Sequence, residues 1–363
     1  MNDTHEIQLL APPVLAPASR PRLGFLGVGW IGQHRLQALV RSGLVEVVAI
    51  VDPVEALAEQ AASLAPGAAV LSSMAALLAQ DLDGIVIATP SALHAEQTLE
   101  ALTAGLAVFC QKPLGRTAAE TRAVVEAART ANRLLGVDLS YRFVRGIQTM
   151  RRLIQAGEIG EVYAVELVFH NAYGPDKAWF YDPVRSGGGC VIDLGLHLVD
   201  LALWTLGFPG VKHTTSHLLA RGRPLKSSRL EVEDYAVARL DLDTGAAVSL
   251  ACSWRLPAGC DAVISAAFYG TQGGLALHNV AGSFYDFTTE RFWGTTRQTL
   301  HAPPEDWSGR AAVAWAQQLA TCPQFDPEIA HVVTVAEVLD AIYRGRGGEE
   351  SGGGRREAHA GHP

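Results

Sequence analysis

Three residues stand out for the chemistry that their types and spacing allow. Lys112 follows the apolar run Leu106–Cys110 after the single residue Gln111 and precedes Pro113, which holds it toward an extended conformation. A lysine at the carboxyl end of a buried strand can donate to a substrate oxygen and stabilise developing alkoxide charge. The competing reading is a surface lysine on a loop. Asp193 and His197 lie four apart in a segment of helical apolar spacing, so they share a face that Asp200 and Trp204 continue. A carboxylate beside an imidazole fixes its tautomer and raises its basicity, which suits a general base that takes a hydroxyl proton. The same spacing also describes a helix-stabilising pair, and spacing alone leans slightly that way. A metal centre fits poorly, because His197 has carboxylates nearby but no second histidine at ligand spacing, so no metal is expected.

A second cluster lies upstream. Gly27-Val28-Gly29-Trp30-Ile31-Gly32 is a G-x-G-x-x-G between the apolar residues 23–26 and a helical pattern over Ile31–Leu44. Gly27 allows the tight turn, Gly29 lets the backbone approach a pyrophosphate, and Gly32 lets the helix pack close to the strand. Trp30 and Ile31 open that helix, whose free N–H groups and positive end face the phosphates. Val45–Val51 reads as a second strand ending at Asp52, 20 residues after Gly32, where a ribose-binding carboxylate belongs. A carboxylate there bonds the 2′-hydroxyl and repels a 2′-phosphate, so the expected cofactor is NAD in preference to NADP.

Positioning these groups requires a particular set of elements. Helices are expected over Val54–Leu64, Met74–Leu78, His94–Ala104 and Thr117–Ala131, and strands over Gly84–Ala88, Leu106–Cys110 and Leu134–Val137. Such alternation builds a doubly wound parallel sheet, with ligands at the carboxyl ends of its strands. Gly27–Gly32, Thr89–His94 and Gln111-Lys112-Pro113 converge there. Beyond about Asp138 the pattern changes to helices over Phe143–Ala156 and Cys190–Leu206 and a strand over Val162–His170. Further strands are expected over Val211–Leu219, Tyr235–Leu242, Ala246–Trp254, Val263–Tyr269 and Leu275–Asn279, with a hairpin at Asp243-Thr244-Gly245. The fold class is therefore α/β, with an N-terminal Rossmann domain and a C-terminal α+β domain built on a large, mostly antiparallel open sheet. Late helices over Ala311–Ala320 and Glu328–Arg344 would cover the first domain or the sheet. The expected division is a flexible arm over 1–20, a dinucleotide domain over 21–140, a substrate and oligomerisation domain over 141–345, and a disordered tail over 346–363.

Composition narrows the class. The chain has 363 residues, of which 48% are apolar and 18% charged, enough for two cores and too apolar for disorder. A net charge of −8 argues against nucleic-acid or acidic-membrane partners. The five cysteines are scattered, odd in number and without a C-x-x-C, which fits reduced thiols in a cytoplasmic protein. No uninterrupted apolar run reaches membrane-spanning length. The triple glycine at 187–189 reads as a bare flexible loop or as a hinge giving room near substrate. The loop before it, from His170 to Arg185, carries donors, acceptors and aromatic faces that suit a small polyhydroxylated ligand.

These segments together resemble the Gfo/Idh/MocA family of dinucleotide-dependent oxidoreductases. The resemblance rests on GVGWIG at 27–32, ATPSALH at 88–94, QKPLG at 111–115, YRF at 141–143, IQAGEIGEV at 154–162, SGGGCVIDLGLHLVDLALWTLG at 186–207 and YGTQGGL at 269–275. It implies that Lys112 is the lysine of E-K-P and that Asp193 and His197 are the D-x-x-x-H pair. Thr89, Pro90 and His94 match T-P-N-x-x-H, which lines the cofactor, and Gln111 joins them. Tyr141, Arg142 and His170 are assigned to the substrate along with the catalytic three. Gln111 stands where the family has Glu, and Ser91 where it has Asn. The implied reaction moves hydride between NAD and a secondary alcohol of a sugar, inositol or related polyol. His197 acts as base, Asp193 orients it, and Lys112 polarises the oxygen. The alternatives are a glycosidase working through NAD-dependent redox elimination and a non-catalytic dinucleotide-sensing regulator. A homodimer or homotetramer through the C-terminal sheet is expected.

Overall fold

Short apolar strands over residues 22–137 assemble a six-stranded parallel sheet. They are β1 (Arg22–Leu26), β2 (Glu46–Val51), β3 (Ala69–Leu71), β4 (Gly84–Ile87), β5 (Ala107–Cys110) and β6 (Leu135–Val137), in spatial order β3-β2-β1-β4-β5-β6. Every pairing is parallel. The computed structural model describes residues 20–345. Apart from Arg20, the expected arm lies outside the described residues, as does the expected tail.

Both faces of this sheet are buried, which explains the unbroken apolar strands. On one face Leu23 and Phe25 pack with Leu36 and Leu39 of the helix Trp30–Ser42. The helix Arg310–Thr321 joins the same core through Trp315 and Leu319, so the chain returns to the first sheet after leaving it. Glycine makes that docking possible: a Cβ at Gly136 would stand 2.6 Å from the Trp315 ring. The other face is continuous with the core of the second sheet.

That second sheet has nine strands: β7 (Val162–Asn171), β8 (Val211–Ala220), β9 (Arg223–Pro224), β10 (Tyr235–Leu242), β11 (Ala247–Ser253), β12 (Ala262–Gly270), β13 (Gly273–Asn279), β14 (Phe287–Trp293) and β15 (Thr296–His301). Their order is β15-β14-β13-β12-β7-β11-β10-β8-β9, and β7 with β11 is the parallel pair in an otherwise antiparallel sheet. β10 and β11 form the expected hairpin, with Asp241 opposite Ala247 and Gly245 at φ +89°. β14 and β15 had no clear sequence signal, because charged and threonine residues blur their alternation.

The helix Leu196–Leu206 is wedged against the second sheet. Leu198 and Leu203 are fully enclosed, and burying each contributes roughly 1.5–3 kcal/mol. A regular helix over Cys190–Leu206 was expected, but the structure has a π-helical turn over Val191–Gly195 before the α-helix begins. The helical run Pro183–Leu206 is long and apolar enough to cross a membrane, but most of it is buried inside the protein, as in a core helix.

Candidate active site

The glycine loop leaves β1 through Gly27, whose φ of +86° and close approach to Ala88 exclude a side chain. A Cβ on Gly32 would collide with the Gly27 carbonyl, so Gly32 serves packing. Gly29 differs, since a Cβ there would meet nothing within 4 Å. Its backbone is open to the cleft, as close approach by a pyrophosphate requires. Asp52 has a local task as well: its Oδ2 accepts the Val28 N–H at 2.8 Å and its Oδ1 the Val54 N–H at 2.9 Å. The carboxylate therefore braces the glycine loop while keeping lone pairs for a ligand hydroxyl.

The segment after β4 forms the next wall. Thr89 Oγ1 donates to Gln97 at 2.6 Å. The buried His94 ring spans Thr89 O at 2.7 Å and Pro113 O at 2.6 Å, tying two strand ends together. Carbonyl oxygens only accept, so a neutral ring satisfies one and the cation would satisfy both. Burial lowers the His94 pKa and outweighs the raising effect of the two carbonyls.

Lys112 reaches from the end of β5 into the π-turn. Its Nζ lies 2.8 Å from Asp193 Oδ1 and 2.8 Å from the Asp193 carbonyl oxygen. The second carboxylate oxygen of Asp193 accepts the Trp254 indole N–H at 3.1 Å. The expected Asp193–His197 contact is thus replaced, with Asp193 hydrogen-bonded to Lys112 and Trp254. The cause is the π-turn, whose i→i+5 bonding shifts the phase on which an i,i+4 pairing depends.

His197 stands beside this pair, with its ring 4.8 Å from Tyr141 and 6.2 Å from Phe169. Its pKa is held well below the usual histidine value, first by burial and then by the charges of Lys112 and Arg35. The ring is therefore neutral at physiological pH and able to accept a proton.

A group that sequence reasoning missed holds the π-turn in place. Glu233 is fully buried, and its Oε1 accepts the N–H groups of Gly189 and Val191, each at 2.9 Å, and the Tyr343 hydroxyl at 2.8 Å. Side chains on Gly188 or Gly189 would collide with Tyr343 or with the Glu233 backbone. The triple glycine is thus a close-packed junction, neither a bare loop nor a free hinge. An acid between a loop and a strand gave no signal in the sequence.

These elements enclose a cleft of about 810 Å³, within the usual range for ligand sites. Gly27, Gly29, Trp30, Ile31 and Asp52 line one end. Thr89, Pro90, His94, Gln111, Lys112 and Asp193 line it too, as do Trp179 and Phe180, whose rings stack on each other at 3.8 Å. Three expected substrate residues lie outside its walls. Tyr141 is packed among Phe169, Phe287 and Trp307. Arg142 is clamped by Asp200, with Nε 2.9 Å from Oδ2, beneath the Trp204 and Phe208 rings. His170 bonds Ser253 at 2.8 Å and stacks on Tyr235. His197 and Gly32 are also not among the residues that line it.

Residues 22–139 match the family model described as "Oxidoreductase family, NAD-binding Rossmann fold", and residues 147–276 match "GFO/IDH/MocA C-terminal domain". Fold, glycine loop and matches define an NAD-binding oxidoreductase. The chain belongs to the Gfo/Idh/MocA family. It is 29% identical to D-glucoside 3-dehydrogenase of Escherichia coli (strain K12), over 70% of this chain and 76% of that protein. It is 30% identical to the rhizopine catabolism protein MocA of Rhizobium meliloti, over 70% of this chain and 77% of the relative. The crystal structure of GenD2 from gentamicin A biosynthesis, in complex with NAD, superposes with a TM-score of 0.77 at 25% identity, covering 93% of this chain and 97% of GenD2.

Proposed function

We propose that the protein transfers hydride between NAD and a secondary alcohol or ketone of a sugar, inositol or related polyol. One observation carries this reading: the Lys112–Asp193 pair stands in the same cleft as the glycine loop and Asp52. NAD bound there supplies the hydride acceptor in the oxidative direction. Gly27, Gly29 and the opening of the helix at Trp30 and Ile31 receive the pyrophosphate, and Asp52 receives the ribose. Lys112 polarises the reacting oxygen, Asp193 fixes the ammonium, and neutral His197 takes the hydroxyl proton. Trp179 and Phe180 offer an aromatic face to the apolar side of a sugar ring. The glucoside dehydrogenase among its relatives supports this substrate class.

Nicotinamide absorbance, followed in both directions across sugars, inositols and sugar acids, is the test. Turnover of a glycoside without net consumption of NAD would point to redox elimination instead. No turnover across the panel would favour a dinucleotide sensor.

Assembly through the open face of the nine-stranded sheet belongs to the same proposal. Glu166, His217, Arg239 and Ser249 expose polar groups there, and Tyr163 is exposed beside them. Light scattering would report a dimer or tetramer. The five cysteines are free thiols, which supports a cytoplasmic setting.

A further inference from the structure

The Asp193 carboxylate is held from two sides. Lys112, at the end of the parallel sheet, takes Oδ1 at 2.8 Å, and the Trp254 indole N–H, from the antiparallel sheet, donates to Oδ2 at 3.1 Å. Trp254 directly follows β11, is only 3% exposed and is not among the residues that line the cleft. Any effect it has on a bound ligand must therefore pass through Asp193.

Packing fixes the indole. The Trp254 backbone N–H donates to Asp234 O at 2.7 Å, and the neighbouring Glu233 holds the N–H groups of Gly189 and Val191 where the π-turn begins. Two adjacent residues before β10 thus anchor both the donor and the turn that carries its acceptor. Phe180 and Tyr181 stand edge-on to the indole at 6.2 and 5.6 Å, and the Tyr181 hydroxyl donates to Pro175 O at 2.9 Å. The type of donor matters as well. An indole N–H is neutral and can only donate, so it aligns the carboxylate without competing with Lys112 as a second cation. With Oδ2 held, Oδ1 and the Asp193 carbonyl oxygen both stay directed at the ammonium. Without the indole the carboxylate turns more freely about Cβ–Cγ, a torsion with broad minima, and the ammonium loses a fixed partner.

We propose that Trp254 is a positioning residue that aligns Asp193 on Lys112 and so aims the ammonium at the reacting oxygen. The inference rests on the proposed oxidoreductase function and adds a residue to it.

Two readouts test it. In isotope-labelled protein, the indole N–H resonance that Trp254→Phe removes should exchange slowly with solvent and should move in Asp193→Ala. Kinetics with NAD and myo-inositol or methyl glucoside supply the second readout. Trp254→Phe keeps an aromatic ring but loses the donor, so kcat should fall about tenfold, the worth of one hydrogen bond to a charged group. NAD affinity should stay within about twofold of wild type, since the loss concerns the transition state alone. Added to Lys112→Met, the same change should cost less than about twofold, because both act through one ammonium. A merely structural role would cost the full factor in both backgrounds. Equal losses in the two backgrounds, an unchanged kcat in Trp254→Phe, or an indole signal indifferent to Asp193→Ala would overturn the inference. Absence of wild-type turnover across the sugar and inositol panel would instead count against the proposed function, while the indole signal still decides the pairing. Melting curves establish that the variants fold.

Discussion

Lys112 and Asp193 meet across the two halves of the molecule, the ammonium 2.8 Å from both the carboxylate and the backbone carbonyl of one residue. Lys112 extends from the parallel sheet, whereas Asp193 belongs to the π-turn that leads into the helix against the antiparallel sheet. Both side chains are mostly but not fully enclosed, so the pair remains within reach of a ligand in the cleft. Changing Lys112 to Met should lower kcat by roughly 10²–10³-fold, the usual worth of one preorganised donor to a developing oxyanion. NAD affinity should stay largely intact. Steady-state kinetics alongside fluorescence titration would separate the two effects, and an equal loss in both would contradict the role.

Asp52 should set cofactor choice. Replacing it with Ala should weaken NAD and relieve repulsion of the 2′-phosphate, which narrows the preference over NADP. Because Asp52 also holds the N–H groups of Val28 and Val54, part of the NAD loss will come from the loop itself. Asp52→Asn retains an acceptor for one of these groups and should weaken NAD less than Ala does. Equal kcat/KM for NAD and NADP in the unaltered enzyme would contradict the assignment.

Glu233 should matter for stability, and its pH dependence has a definite sign. Burial raises its pKa, against the opposing pull of the N–H donors and Tyr343. Between the unfolded carboxyl value and the raised native value, the folded protein binds more protons. This group's stabilising contribution is therefore present at low pH and lost as pH rises through that window. Glu233→Gln should abolish this dependence and cost little, whereas Glu233→Ala strands buried donors and should cost roughly 3 kcal/mol. Urea unfolding at several pH values is the measurement. Equal destabilisation by Gln and Ala would contradict this view.

The thiols should react by exposure. Cys110, Cys190 and Cys252 are completely buried. Burial pushes the Cys110 thiol up to about 12 and that of Cys190 well above its ordinary value. Alkylation at pH 8 should label exposed Cys322 quickly and Cys260 more slowly, with the other three labelled only on unfolding. Mass spectrometry that finds rapid Cys110 or Cys190 modification in folded protein would contradict the burial.

The sequence made the parallel half of the fold plain because strands buried on both faces are apolar throughout and the glycine motif marks a turn. It was less informative for β14 and β15, whose faces mix polar and apolar residues. Lys112, Asp52 and the glycines could be located from their place at strand ends. The partner of Asp193 could not, because no residue pattern announces a π-turn. Glu233 and Trp254 were invisible for a similar reason: their importance comes from what long-range folding brings against residues 189–193. Arg142 looked available in the sequence, and only the packing of Asp200 beneath it reveals a structural clamp.

The assignment of His197 as the base is tested most directly by the pH dependence of oxidative kcat in the wild type and in His197→Ala. The imidazole must be neutral to accept the hydroxyl proton, and protonation abolishes that capacity. Burial, Lys112 and Arg35 lower its pKa, so the neutral form persists into more acidic solution than for a free histidine. The acidic limb of the wild-type profile should therefore fall below pH of about 6.5, the unperturbed histidine value. His197→Ala should lose that limb and about 10²–10⁴-fold in kcat. Near-normal kcat with the acidic limb unchanged would contradict the account and shift proton transfer to Lys112.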